Sequence, residues 1–223
     1  MTAPATTDRP AALAFDAVLF DMDGTLVDST ASVVRCWVRL AEENGITVET
    51  LQAAAGHGRP ARDIVADLFP PAERATALGR ITHLEVNDVD GVVALPGAAD
   101  ALRASGSRGA IVTSCTADLA AARQRAAGIP VPAVVVTADD VVRGKPDPEP
   151  FLAAARVLGV DPARCLVVED APAGLAAGRA AGMTTLAVTT THAADQLDAD
   201  HVVADLSQVR LSPGDQGLLL HLP

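Results

Sequence analysis

The chain has 223 residues, of which 49% are hydrophobic, and it carries a formal net charge of −11 at pH 7. This length supports one sizeable core, or a core with an inserted lobe, and argues against a string of domains. Nucleic acid and anionic membranes are disfavoured as partners, because both bind clustered cations and the chain has only 17 Lys and Arg against 28 acidic residues. A small-molecule ligand is therefore expected.

Residues 1–14 are predicted to form a flexible N-terminal tail. They contain Pro and Asp where a signal peptide needs an apolar segment, and no stretch reaches the roughly eighteen apolar residues of a membrane span. The cysteines Cys36, Cys115 and Cys165 are odd in number and lie among apolar residues, so we expect buried thiols and no disulfide. These features predict a cytoplasmic protein, and a monomer or a weak homo-oligomer is expected.

Six apolar segments of strand length recur along the chain. They are rich in β-branched residues and do not alternate with polar residues, which is typical of strands covered on both faces in a parallel sheet. They lie at 15–20, 109–113, 133–137, 165–169, 184–188 and 201–204. A further stretch near the C-terminus, "DQGLLLHL", is a candidate edge strand.

Helical segments with clear end signals lie between these strands. They are expected at 117–128, 147–159 and 171–182, each closing on a glycine, and the last two have a proline near the start. Strands that alternate with helices predict an α/β fold, a doubly wound Rossmann-like parallel sheet.

One interval is longer than a strand crossover needs. About 90 residues separate Asp23 from the strand at 109, whereas a crossover helix and its loops need about thirty. The surplus predicts a helical cap domain over residues 29–95, inserted into a core domain made of residues 15–28 and 96–223. Within the cap, helices are expected at 29–45, 60–69 and 71–86, with Ser29 or Thr30 as an N-cap, and no strand is expected.

The segment "LFDMDGTLVDS" at 19–29 ends a buried strand with two carboxylates, Asp21 and Asp23. Ligands of open α/β sheets bind at the carboxyl ends of strands, and two ionised carboxylates there repel each other unless a cation neutralises them. Mg²⁺ does so while it keeps coordination positions for water and phosphate oxygens. Backbone amides around Met22 and Asp23 are candidates to face an anion. The alternative is a charged loop with a helix cap at Asp28.

Three further segments carry polar groups suited to a phosphate and a metal ion. In "IVTSC", Thr113 and Ser114 lie between a strand and a helix, where a hydroxyl and free N–H groups bind anions, although Ser and Thr caps are common. In "RGKPDPEP", Lys145 is the only lysine of the chain, and a compact ammonium suits a phosphate oxygen and an aspartate; a solvated loop lysine is the alternative. In "VVEDAPAG", Glu169 and Asp170 end another strand, so that Asp170 is a candidate Mg²⁺ ligand or an ordinary N-cap.

These four segments occur in this order between residues 19 and 178, and together they resemble the motifs of the haloacid dehalogenase superfamily of phosphohydrolases. The spacing of the first two is similar to that of the branch with a helical cap between them. The segments "GHGRPARDI", "TADDVVRGKPDPEPFL" and "VVEDAPAGLAAGRAAG" are similar to its sugar-phosphatase, glycerol-3-phosphatase and 2-deoxyglucose-6-phosphatase group.

The resemblance implies an activity and a role for each motif. It implies hydrolysis of a small sugar or polyol phosphate, with Asp21 as the nucleophile that forms an aspartyl-phosphate and Asp23 as the general acid and base. Thr113, the Ser114 amide and Lys145 would bind the phosphoryl group. The implied Mg²⁺ ligands are the carboxylates of Asp21 and Asp170 and the main-chain carbonyl of Asp23, with help from Glu169.

The cap is expected to select the substrate. His57, Gly58 and Arg59 lie in a glycine-flanked loop that is a candidate to contact sugar hydroxyls or phosphate, and a plain surface loop is the alternative. Arg62, His83, Glu85 and Trp37 are weaker candidates, and Trp37 is expected in the cap core.

Two other functions stay open. One is a β-phosphoglucomutase-like mutase. The resemblance to such mutases would require a cap histidine twelve residues after Asp21, where this chain has Val33, and a serine where it has Ala171. The other is a phosphoacceptor module that does not turn over, although such a receiver-like domain needs only about 120 residues and no cap.

Overall fold

The computed structural model describes residues 12–54, 61–215 and 217–223. Within these ranges the chain forms eleven strands and eight helices. The strands are β1 (Leu13–Phe15), β2 (Ala17–Phe20), β3 (Val27–Asp28), β4 (Val93–Ala94), β5 (Gly109–Val112), β6 (Val134–Val136), β7 (Cys165–Glu169), β8 (Thr184–Val188), β9 (His201–Val203), β10 (Arg210–Gly214) and β11 (Gly217–His221). The helices are α1 (Thr30–Glu43), α2 (Val48–Ala54), α3 (Ala61–Leu68), α4 (Arg74–Asn87), α5 (Ala98–Ser105), α6 (Ala117–Ala127), α7 (Glu149–Leu158) and α8 (Pro172–Ala180).

A six-stranded parallel sheet forms the centre of the fold, in the order β6-β5-β2-β7-β8-β9. Its central strands are fully buried because helices and loops cover both faces. Alternate side chains of β2 enter different apolar clusters: Val18 and Phe20 pack on one side of the sheet, and Ala17 and Leu19 on the other. The α/β fold expected from the sequence is confirmed.

The chain leaves β2 to build β5 and β6 on one side, and then returns to build β7, β8 and β9 on the other. The strand order therefore reverses around β2. A crevice forms at such a reversal, at the carboxyl ends of the strands.

A second sheet of three antiparallel strands, in the order β1-β11-β10, contains the beginning of the described chain and its end. The strand expected at 15–20 is therefore two strands in different sheets, separated at Asp16, whose carboxylate accepts two hydrogen bonds from Arg164. The predicted boundary of the flexible tail at residue 14 is wrong, because Leu13 and Ala14 belong to β1 and pair with Leu220 and Leu219. The candidate edge strand is instead the middle strand β11 of this sheet.

Helices α1 to α4 share an apolar cluster that includes Trp37, Leu40, Ile64 and Ile81. The short helix α2 was not expected from the sequence. The expectation of no strand between residues 29 and 95 is wrong, because β4 pairs with β3, with Val93 opposite Asp28 and Ala94 opposite Val27. The two strands have two residues each and β4 is exposed, so they leave no pattern of apolar residues.

Two expectations about the whole chain can be compared with the described residues. Cys36, Cys115 and Cys165 are buried free thiols, as expected. Among the described residues no helix has both the length and the apolar character that a membrane crossing requires.

Candidate active site

The carboxyl ends of β2, β5 and β7 lie side by side and carry three of the expected site residues. Asp21 directly follows β2, and its N–H donates to the carbonyl of Val168 at 2.9 Å, so it lies against the end of β7. Thr113 directly follows β5, and Glu169 is the last residue of β7. Parallel pairing of the three strands therefore brings together motifs that are far apart in the sequence.

Lys145 reaches this edge of the sheet from the loop before α7. Its Nζ donates to Asp21 Oδ1 at 2.5 Å, to Glu169 Oε1 at 2.8 Å and to the carbonyl of Val112 at 2.9 Å. All three donors of the ammonium are thus used inside the protein. The ammonium also lies 5.0 Å from the centroid of the Phe151 ring. Lys145 is therefore a fixed, buried positive charge beside Asp21.

One lysine faces more negative charge than it can neutralise. Carboxylate oxygens of Asp21, Glu169 and Asp170 lie within 4.8 Å of one another, and all three residues are buried. Burial raises the pKa of Asp21 to about 7 and that of Asp170 to about 7, and it also raises the pKa of Glu169. Burial alone would lower the pKa of Lys145, but attraction to Asp21 and Glu169 raises it. The excess negative charge favours a bound cation.

The donor atoms of this cluster fit a hard cation such as Mg²⁺, which prefers anionic oxygens. Glu169 is the most constrained of the three, because its Oε2 accepts from the N–H groups of Asp170 and Ala171 at 2.9 and 3.0 Å while its Oε1 accepts from Lys145. Asp170 is oriented by two hydroxyls, with Oδ1 accepting from Thr25 at 3.3 Å and Oδ2 from Thr191.

A tight turn after Asp23 permits this close approach. Gly24 has a φ of 87°, in the left-handed region that favours glycine. A Cβ on Gly24 would overlap the carboxylate of Asp170. Glycine is therefore required here by both backbone conformation and space.

The carboxylate of Asp23 points to a different set of partners. Its Oδ1 accepts from Ser29 Oγ at 2.7 Å and lies 2.9 Å from Nη1 of Arg123, and its Oδ2 accepts from Cys115 Sγ at 3.0 Å. Ser29 does precede α1, as expected for an N-cap, but its side chain makes no capping bond. The hydroxyl is used instead to hold Asp23.

A model of the haloacid dehalogenase-like hydrolase family matches residues 15–182. This range includes all four motifs and the segment inserted between the first two. The chain belongs to this family.

Named relatives of the family resemble the chain over most of its length. Hexitol phosphatase A of Escherichia coli K12 is 39% identical over 206 residues, which cover 89% of this chain and 95% of that protein. Glycerol-1-phosphate phosphohydrolase 2 of Saccharomyces cerevisiae is 30% identical over 220 residues, which cover 92% of this chain and 88% of that protein. A hydrolase from Pseudomonas syringae superposes with a TM-score of 0.75 at 27% identity and covers 86% of this chain and 94% of its own. The resemblance to sugar and polyol phosphatases is confirmed.

The second motif, "IVTSC", lies at the same end of the sheet, because Thr113 directly follows β5. Thr113 is buried, and its Oγ1 accepts from the N–H of Cys115 at 3.1 Å, while Ser114 is exposed. Met22 is fully buried, and its Sδ lies 3.9 Å from Nε2 of Gln124, so its side chain packs in the core. Any contact of Met22 with a ligand would involve its backbone.

The candidates in the cap have different outcomes. His57, Gly58 and Arg59 lie outside the described residues. Trp37 packs in the apolar cluster of α1 to α4, and His83 is exposed. Glu85 is buried and lies near Arg123. Arg62 lies beside the loop of Lys145, because its Nη2 is 3.5 Å from where a Cβ on Gly144 would be.

Two residues that contact this site from outside the four motifs were missed by the sequence analysis. Arg123 lies four residues after the buried Leu119 on α6, and a charge on the buried face of a helix is the signal that could have found it. Thr191 follows β8 at the same edge of the sheet as Asp21, so its position after a strand was the available signal.

Proposed function

We propose that the chain is a Mg²⁺-dependent phosphatase that hydrolyses a small sugar or polyol monophosphate through an aspartyl-phosphate on Asp21. The observation that carries this proposal is the buried cluster of Asp21, Lys145, Glu169 and Asp170 at the crevice. The named activities of hexitol phosphatase A and glycerol-1-phosphate phosphohydrolase 2 support the substrate class.

The phosphoryl group of the substrate would bind between β2 and β5. The positive charge of Lys145 would attract the phosphate, and Thr113, the Ser114 amide and the backbone around Met22 and Asp23 would donate hydrogen bonds to its oxygens. Such fixed donors lower the barrier to phosphoryl transfer because they are already oriented when charge develops.

The reaction would proceed in two steps. Asp21 attacks phosphorus, the bond from phosphorus to the alcohol oxygen breaks, and Asp23 donates a proton to the departing alcohol. A water molecule then attacks the aspartyl-phosphate, Asp23 accepts its proton, and inorganic phosphate leaves. Lys145 hydrogen-bonds Oδ1 of Asp21 and thereby fixes the carboxylate.

The carboxylates of Asp21 and Asp170 and the main-chain carbonyl of Asp23 would hold Mg²⁺, with Glu169 assisting. The ion would supply positive charge for the phosphate oxygens and for the acidic cluster. The hydrogen bonds of Glu169 to Lys145 and to two backbone amides favour an orienting role for this residue.

We also propose that residues 29–95 act as the cap that covers the crevice and selects the alcohol. Their helices form an apolar cluster separate from those of the sheet, and β3 and β4 join the two connections to the core. His57, Gly58 and Arg59 remain the candidates for substrate contact, and the position of Arg62 beside the Lys145 loop supports a contact from α3.

A phosphate-release screen over metabolite monophosphates with Mg²⁺ tests the substrate class. We expect sugar and polyol esters to be hydrolysed, with loss of activity on addition of EDTA and a loss of about a thousandfold or more in Asp21→Asn. The exposed Asp195→Asn variant is the matched control and should keep full activity. Reaction of nucleotides alone would contradict the substrate class.

The same assay separates the alternatives. A mutase would convert glucose 1-phosphate, with a trace of the bisphosphate, to glucose 6-phosphate without free phosphate. A phosphoacceptor module would react once with acetyl phosphate and would not turn over. Val33, at the position of the mutase histidine, favours hydrolysis.

A further inference from the structure

Arg123 is a buried cation that none of the four motifs contains. It lies on α6 with 4% of its surface exposed. Its Nη1 lies 2.9 Å from Asp23 Oδ1, and its Nη2 lies 3.5 Å from Glu85 Oε1 on α4. A buried guanidinium costs more free energy than an apolar side chain of similar volume unless it is well paired. The position therefore requires an explanation beyond packing.

We propose that Arg123 is a positioning residue that fixes the carboxylate of Asp23 for proton transfer, and that its contact with Glu85 ties this orientation to helix α4. The proposal rests on the proposed phosphatase function, because it assigns a partner to the general acid and base of that reaction.

Arg123 is the charged member of the set that holds Asp23. The carboxylate is one-quarter exposed, with a relative side-chain exposure of 26%, and so the surrounding protein does not fix it by packing alone. Ser29 Oγ is a neutral donor, and Cys115 Sγ is a weak one. Hydrogen bonds from a charged donor are about twice as strong as neutral ones. Arg123 therefore contributes most to the orientation.

Glu85 has a distinct part in the arrangement. When Asp23 carries the proton that it will donate, it no longer neutralises Arg123. The Glu85 carboxylate contacts Nη2 of the same guanidinium, so the cation keeps one ion-pair partner at that stage. Because Glu85 belongs to α4 and Asp23 follows β2, the guanidinium also connects the helical segment to the sheet.

The test compares two esters in Arg123→Met. An alcohol ester, sorbitol 6-phosphate or glycerol 3-phosphate, needs a proton on its leaving group, whereas p-nitrophenyl phosphate releases a stable phenolate. We expect kcat/KM to fall by about 10- to 100-fold for the alcohol ester and by no more than about threefold for p-nitrophenyl phosphate. This ratio does not depend on the fraction of folded enzyme, because one preparation gives both rates.

Further variants separate positioning from structural support. Asp23→Asn should show the same preference for p-nitrophenyl phosphate, and adding Arg123→Met to it should cause little further loss. Arg123→Lys should recover part of the alcohol-ester activity, and Glu85→Gln should show a smaller loss with the same selectivity. Arg125→Met, exposed on the same helix, is the control with both activities unchanged.

The possible failures are distinguishable. Equal losses for both esters in Arg123→Met, or full additivity with Asp23→Asn, would overturn the positioning role while the phosphatase function stands. Absence of hydrolysis of any ester by the unmodified protein would overturn the phosphatase function itself.

Discussion

At the scale of single residues, the site depends on a few groups held at distances that their neighbours enforce. Lys145 uses all of its donors on two carboxylates and one carbonyl. The carboxylate of Asp170 accepts hydrogen bonds from hydroxyls of two loops, and the backbone turn at Gly24 packs against it. Substitutions that add a methyl group near these atoms should therefore weaken ion binding while the fold is retained.

Gly24→Ala tests the turn. The substitution introduces a left-handed alanine, which costs about 1–2 kcal/mol of the free energy of unfolding, and its Cβ displaces the carboxylate of Asp170. We expect Mg²⁺ affinity to fall by about 10- to 100-fold, as measured by Mg²⁺ titration of activity.

Gly45→Ala is the matched control for this prediction. Gly45 also has a positive φ, of 66°, but no atom lies within 4 Å of the added Cβ. Its stability should fall by the backbone cost alone, about 1–2 kcal/mol, and its Mg²⁺ affinity should not change. Equal Mg²⁺ affinities in the two variants would show that the contact with Asp170 is unimportant.

At the scale of elements, helix α8 packs closely against the side chain of Glu169, the last residue of β7. The N–H groups of Asp170 and Ala171, which connect β7 to α8, donate to Glu169, which in turn binds Lys145. Gly174 provides the space for the Glu169 side chain against α8. The connection from β7 to α8 and the packing of α8 thus both help to hold the carboxylate that binds the lysine.

Gly174→Ala should disturb this contact. The new methyl group overlaps the Glu169 carboxylate, so we expect a loss of about 1–3 kcal/mol in the free energy of unfolding and a lower kcat. Urea unfolding gives the first quantity and phosphate release the second.

Gly79→Ala on α4 provides the comparison. No atom lies within 4 Å of that Cβ, and the helical backbone accepts alanine, so stability should rise by about 0.5–1 kcal/mol. A rise in stability for Gly174→Ala as well would mean that Glu169 is not confined by α8.

Sequence patterns predicted the elements that obey local rules. Asp21, Glu169 and Lys145 could be placed because each lies in a short segment at a strand end or before a helix, and the resemblance of these segments to the family motifs is the basis of their proposed roles. Strand β7 matches its expected bounds, because a buried parallel strand needs an uninterrupted apolar run.

The remainder depends on contacts between distant segments. Arg123 and Thr191 take part through the packing of α6 and of the loop after β8, which no local pattern contains. The division of 15–20 into β1 and β2 was invisible because both strands are apolar and only their partners differ. Ser29 was placed correctly before α1, but the nearby carboxylate of Asp23 changed the use of its hydroxyl.

At the scale of the whole molecule, stability and ion binding should be linked through pH. Without a bound cation, Asp21 and Asp170 have pKa values of about 7, above the ordinary 3.8. Between pH 3.8 and about pH 7 the folded chain therefore binds more protons than the unfolded chain. The free energy of unfolding consequently falls as the pH rises through this range. Burial of Glu169 and Glu85 acts in the same direction.

Mg²⁺ bound as proposed would compete with these protons and would replace the repulsion between the carboxylates by attraction. We expect the rise in Tm on adding Mg²⁺ to be small near about pH 5 and largest near about pH 8, as measured by thermal unfolding. Sodium chloride at matched ionic strength is the control for general screening. A Mg²⁺ effect that is the same at every pH would contradict the link.

Lys145 carries the only side-chain amine of the chain, and it is buried in two salt bridges. Reagents that acylate or reductively alkylate amines need a deprotonated, accessible nitrogen, which this pairing withholds. Covalent labelling of lysine in this protein consequently reports on a single atom. The rate of labelling measures how often the centre of the crevice opens to solvent, with no background from other lysines.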